Sequence, residues 1–117
     1  FKVYIDGVNT DSTGSSSTGV RSTSTVGTIV GSLRDSSPLY PLQADLDELA
    51  VFDKALTSEE VTTIYNGGVP GDISSLNPFL WYRFEEGSGT TATDSGTGGN
   101  NGTIDGATYS TDLPGSG

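Results

Sequence analysis

Among its 117 residues the chain has no cysteine, no histidine and no methionine. Without cysteine and histidine, thiol catalysis, a Ser-His-Asp triad and a His-ligated zinc centre are excluded for these residues. The missing cysteine does not fix a compartment, because many secreted β-proteins do without disulfides. Basic side chains are scarce too: five Lys and Arg face fifteen Asp and Glu, a net charge of −10. Such a surface repels nucleic acid and anionic membranes, which makes both poor candidates as partners. It suits a protein that meets salt water or divalent cations, and equally one kept soluble by charge alone. No apolar run approaches the roughly 20 residues that span a bilayer, so membrane insertion is not expected. Nothing at the start reads as a signal peptide, and Phe1 opens within a strand pattern, as a processed product or a fragment would.

What is present is glycine, serine and threonine in long tracts, with only 32% hydrophobic residues. That balance is low for a compact core but ordinary for an all-β protein with long polar loops. The apolar residues that do occur are patterned. Phe1-Lys2-Val3-Tyr4-Ile5-Asp6 alternates as a strand with one buried face, and Asp6-Gly7 follows as a two-residue hairpin turn. Residues 9–25 read as a surface loop. Thr25 to Leu33 is β-branched and apolar, a second strand, and Pro38 and Pro41 forbid regular pairing in the loop after it. Leu46 to Phe52 is a third strand.

The clearest local signal follows. Thr57 with Glu60 three residues on is a capping box, Leu56 and Val61 form a hydrophobic staple, and Glu59 and Glu60 place negative charge at the positive end of a helix dipole. Val61, Ile64 and Tyr65 share one face, and Asn66-Gly67-Gly68 stops the helix, which is expected at about residues 58–66. At about eight residues it needs something to lie on. Residues 69–78, VPGDISSLNP, read as a linker. Phe79 to Glu85 is the most aromatic strand pattern in the chain, a Gly-, Ser- and Thr-rich loop succeeds it, and Thr103 to Thr108 is a last short strand. Short strands, frequent turn residues and one minor helix point to an all-β antiparallel sandwich or jelly roll.

The order YIDG (Tyr4 to Gly7), VGS (Val30 to Ser32), then LDEL (Leu46 to Leu49), Ala55-Leu56 and Glu59-Glu60-Val61 resembles the second half of a laminin-G-like, concanavalin A-like lectin domain. The run from Leu80, LWYRFEEGSGTTATDSGTGGNNGT, resembles the first strands of the same family. The chain is thus similar to the end of one module followed by the start of the next, as in the repeated modules of marine phage tail-fibre and bacterial surface proteins. The resemblance implies a concanavalin-like jelly roll, reduced or permuted. Residues 1–68 would be its C-terminal half, 69–78 a linker, and 79–117 N-terminal-type strands packed on the first part or on a neighbouring subunit.

Candidate chemistry follows from the carboxylates and aromatics. Asp45 and Asp47 share a strand face with Cα atoms about 6–7 Å apart, within the about 5–9 Å that glycoside hydrolysis asks of its carboxyl pair. The ExDxE strand of glucanases on this architecture is absent, so no enzyme is expected. Glu48, beside an apolar run, is expected to accept N–H bonds from the turn before the helix. Calcium takes six to eight oxygen ligands, and the resemblance implies a site drawn from Asp94 with Asn100 or Asn101, and Asp45 or Asp47; the alternative for Asp94 is an Asx-turn. Tyr40, Trp81 and Tyr82 are candidate glycan contacts, with core packing the alternative for Trp81. Asn101-Gly102-Thr103 is an N-glycosylation sequon. The function expected is a non-enzymatic structural or adhesive module of a virion fibre, tail or other extracellular assembly, partnered by glycans or by other copies of itself. The alternatives are a filament protomer exchanging β-strands and an accessory carbohydrate-binding domain of a secreted glycosidase.

Overall fold

The computed structural model describes residues 2–10, 28–32 and 41–112. The chain divides into two units, one of Phe1 and Ser12–Asp45, the other of Lys2–Asp11 and Leu46–Gly117. In the first unit, Leu42 N–H donates to the Gly31 carbonyl at 2.7 Å. The expected strand over Thr25 to Leu33 is not formed where it is described: residues 28–32 belong to no strand. Gly31, at φ 83°, turns the backbone out of the extended region, which a strand interior does not tolerate.

The second unit begins with the hairpin. Asp6 and Gly7 both take positive φ, 51° and 75°, the two-residue turn whose twist matches its flanking strands. It joins β1 (Tyr4–Ile5) to β2 (Val8–Asn9) in the register Tyr4↔Asn9 and Ile5↔Val8. Glycine is required here on a second count. A methyl carbon at Gly7 would lie 2.8 Å from Tyr65 Cδ1, so the turn seats directly against that ring.

β3 (Leu49–Val51) and β4 (Leu80–Tyr82) pair antiparallel, Leu49↔Tyr82, Ala50↔Trp81 and Val51↔Leu80. At one end both stop short of the expected strands, Leu46 to Phe52 and Phe79 to Glu85, where Glu48, at φ 50°, and Phe84, at φ 55°, leave the extended region. β5 (Thr91–Ala92) pairs with β6 (Gly102–Thr103), in the register Thr91↔Thr103 and Ala92↔Gly102. The expected strand to Thr108 stops early, with Gly106 at φ 77°. The described architecture is β-rich: three two-stranded antiparallel sheets and one short helix.

That helix, α1 (Ser58–Tyr65), starts and stops as its sequence directs. The Thr57 hydroxyl accepts Glu60 N–H at 3.2 Å, and the Glu60 carboxylate accepts Thr57 N–H at 2.9 Å. Asn66, left-handed at φ 43°, caps the other end with its N–H on Thr62 O. No residue of the helix is fully buried; Val61 and Ile64 are half-buried and Tyr65 reaches the hairpin. The interior lies elsewhere, at Ile73, Trp81 and Ala92, which are 5%, 4% and 3% exposed. Pro78 is buried beside them in sequence. Residues 69–78, expected as a linker, carry the buried Ile73 and Pro78 and a 3₁₀ turn at Ser74–Leu76. Trp81 is the largest buried group, about 200 Å², about 5 kcal/mol at ~25 cal/mol per Å² as an upper bound.

Thr57→Ala removes one half of the capping box and should cost about 1 kcal/mol. Urea unfolding followed by tryptophan fluorescence and by far-UV dichroism measures it; an unchanged midpoint would show that the helix is not coupled to the rest of the unit.

Candidate functional site

Two carboxylates converge on Trp81 from opposite sides of β4. Glu48 stands one residue before β3 and faces Arg83 across the end of the ladder. Its left-handed backbone aims the carboxylate back along the sheet, where Oε2 accepts the Trp81 indole N–H. Oε1 meets Arg83 Nε at a long 3.5 Å. Arg83 is nearly half exposed, so this ion pair adds little in water. Its guanidinium carbon stands 5.0 Å from the Trp81 ring centroid, a cation–π cover over the aromatic face. Glu48 thus takes the indole of a distant strand, where N–H groups of the turn before the helix were expected; a buried indole N–H needs an acceptor, and a half-buried carboxylate is the strongest one near it.

The second carboxylate, Asp94, holds the other side. Its Oδ1 accepts Trp81 N–H at 2.9 Å and Gly96 N–H at 2.8 Å, and Oδ2 accepts Asn100 N–H at 2.7 Å. The loop after it then runs along β4: Ser95 N–H donates to Trp81 O, Thr97 N–H to Pro78 O and Gly98 N–H to Phe79 O, all within 2.9 Å. Glycine permits this close approach, since a methyl at Gly96 would sit 2.8 Å from the carbonyls of Phe79 and Pro78. Burial alone would raise the Asp94 pKa, but the N–H groups of Asn100, Trp81, Gly96 and Gly99 outweigh it and hold the carboxyl below its ordinary range. Asp94 therefore makes the Asx-turn that was the alternative to metal ligation for this residue.

The remaining expected site residues fall as follows. Asn101 is exposed, and its Oδ1 accepts Asp94 N–H at 2.9 Å. Asn100 uses its backbone, through N–H to Asp94 and through its carbonyl, which accepts the Tyr82 hydroxyl at 2.6 Å. Burial, then the Asp94 charge, raises the Tyr82 pKa. Its ring packs tilted on Phe84 at a centroid distance of 6.1 Å. Trp81, almost fully buried, offers no open ring face, so stacking a sugar on it requires Arg83 to move. Asp45 is exposed in the first unit and Asp47 is half-buried in the second. Among the described residues no group of three or more acidic side chains is placed to share a metal ion. Tyr40 lies outside the described residues.

Sequence reasoning did not single out the open hollow beside this cluster, about 250 Å³, lined by Arg83, Glu85, Glu86, Thr93 and Ser95. Glu86 is fixed at its edge, with Oε1 accepting Thr93 N–H at 2.7 Å and Oε2 accepting the Tyr109 hydroxyl at 3.0 Å. The Thr93 N–H is the chief reason its carboxyl titrates below the usual range. Apart from Glu86, whose oxygens are taken, the lining carries a guanidinium, the Glu85 carboxylate and two hydroxyls. No family model, no curated protein and no solved structure matches the chain.

Both Asp94 and Glu86 have folded pKa values below their unfolded ones of about 3.9 and 4.3. Their stabilisation is therefore present above those values and lost as pH falls through the folded ones. Equilibrium unfolding measured across the acid range should show stability falling below about pH 4. Asp94→Asn should be less stable at neutral pH, by about 1–3 kcal/mol for unmet N–H groups, and should show a shallower acid limb. An identical acid limb in the variant would remove Asp94 from this role.

Proposed function

We propose that this chain is a non-enzymatic structural and adhesive module of a virion fibre, tail or other extracellular surface assembly, built as a reduced or permuted concanavalin-like sandwich, with glycan recognition as its binding activity. The observation that carries the reading is how the carboxylates are used. Glu48, Asp94 and Glu86 each accept N–H or O–H donors from distant segments. A general acid or base needs a free carboxyl within reach of substrate, and these three are occupied in holding loops to strands.

The hollow beside Arg83 supplies the binding half of the proposal. Sugars present hydroxyl rims that both donate and accept, and the side chains of Arg83, Glu85, Thr93 and Ser95 match that need. Calcium, expected at Asp94 with Asn100 or Asn101 and at Asp45 or Asp47, would join this reading through side-chain oxygens of the hard type that cation takes. Asn101 is also the acceptor of the sequon, exposed as attachment of a sugar requires.

A second reading, a filament protomer joined by strand exchange, is favoured by the outer edge of β3. Trp81 turns its N–H and C=O toward the Asp94 loop, so Ala50 opposite it turns its own pair away from β4. Those two groups have no partner among the described residues, and an open edge accepts an added strand. The acidic surface opposes self-association, which places this reading second.

A glycan array probed with and without chelator tests the first reading. Binding should appear and weaken in Arg83→Ala, and no binding in either condition would count against glycan recognition. Sedimentation in dilute solution separates the readings: a stable monomer excludes the filament, and a concentration-dependent ladder of sizes supports it.

A further inference from the structure

The chain carries two Asn-Gly steps, Asn66-Gly67 and Asn101-Gly102, identical in sequence and opposite in surroundings. We infer that Asn66 is a site of spontaneous deamidation and that Asn101 is protected from it by the fold. The reaction is an exchange of acyl partners with no redox change. The Gly67 backbone nitrogen loses its proton to solvent base and attacks Asn66 Cγ. A new Cγ–N bond closes a five-membered succinimide, the Cγ–Nδ2 bond breaks, and ammonia leaves. Water then opens the ring at either carbonyl, leaving an aspartyl or an isoaspartyl linkage at position 66.

The attack demands that the Asn backbone swing until the next nitrogen faces its side chain, so local opening controls the rate. Asn66 is the exposed last cap of α1, at φ 43° and ψ 38°. Gly67 has open space around it, with nothing within 4 Å of where a side chain would begin. Beyond the cap, Val69 N–H reaches Asn66 O only at a long 3.4 Å, and the Asn66 side chain donates from Nδ2 to Val69 O at 3.1 Å. Helix ends of this kind open at small free-energy cost.

Asn101, though exposed, is tethered through its side chain and through its neighbours. Its Oδ1 accepts Asp94 N–H at 2.9 Å. Gly102 is paired with Ala92 in the β5–β6 ladder. A methyl at Gly102 would lie 3.0 Å from Tyr82 Cζ, so the ring closes that side of the backbone. Tyr82 in turn donates to Asn100 O at 2.6 Å. Swinging Asn101 means breaking the ladder, the Asp94 bond and the Tyr82 seat together.

An acid at position 66 changes the unit. It removes the donor to Val69 O and places negative charge at the negative end of the helix dipole. The isoaspartyl form also inserts a methylene into the backbone next to Tyr65, the ring that seats the β1–β2 turn at Gly7. Ageing at Asn66 therefore loosens the hairpin.

The test ages the full chain in mildly alkaline buffer at physiological temperature, then maps aspartate and isoaspartate at both sites by peptide mass spectrometry. Asn66 should convert at least about tenfold faster than Asn101, equivalent to about 1.4 kcal/mol less opening cost. Unfolding the chain in urea during ageing should bring the two rates together. Asn66→Gln, which cannot close the five-membered ring, should leave position 66 intact and the Asn101 rate unchanged. Comparable folded-state rates, or a faster Asn101, would overturn the inference. So would a gap that persists in urea, because it would then belong to the local sequence.

Discussion

The tryptophan of β4 is held at both its ends by carboxylates that come from different parts of the chain. Glu48 takes the indole N–H and Asp94 takes the backbone N–H of the same residue. Each bond is charge-assisted, the stronger class of hydrogen bond, and each would leave a costly unmet donor in a part-buried place if lost. With Trp81 in place, β4 has a partner on one side in β3 and on the other in the Asp94 loop, and the loop's glycines can lie flat against the strand. Among the described residues the buried side chains Ile73, Trp81 and Ala92 include no larger one than this tryptophan.

This arrangement explains how an acidic chain poor in apolar residues holds its second unit together. Few side chains are fully buried, and many large ones remain exposed, Ile5 and Val8 among them at 60% and 63%. Hydrogen bonds from loops to strands make up part of what burial does not supply. Three carboxylates, Glu48, Asp94 and Glu86, are therefore committed to structure. The same commitment bears on the two Asn-Gly steps, one locked by the Asp94 network and the other left at a helix end.

Some of this was legible in the residues. The capping box, the left-handed stop at Asn66 and the Asp6-Gly7 hairpin all formed as expected, because each depends on groups within a few residues of one another. The strand over Thr25 to Leu33 did not appear in its described part, where Gly31 turns the backbone. The stretch 69–78 looked like a linker because Pro and Gly punctuate it, yet Ile73 and Pro78 are buried. Punctuation reports local backbone preference and says nothing of what a neighbouring segment covers. The partner of Glu48 lies 33 residues on, and the side chains of the hollow come from either side of a loop. No spacing rule links residues so far apart.

The sequence by itself determined the local geometry: where the helix starts and ends, where the first hairpin turns, and which strand bears the aromatic anchor. Those outcomes follow from hydrogen bonds and backbone sterics within about one turn of chain. Only the tertiary structure decided which carboxylate grips Trp81 from which side, that Asp94 turns its oxygens to backbone N–H groups, and which Asn-Gly step is sheltered. Each of those depends on segments meeting across loops. The preference is then set by burial and by the need to satisfy every polar group left in it, a condition that belongs to the folded unit as a whole.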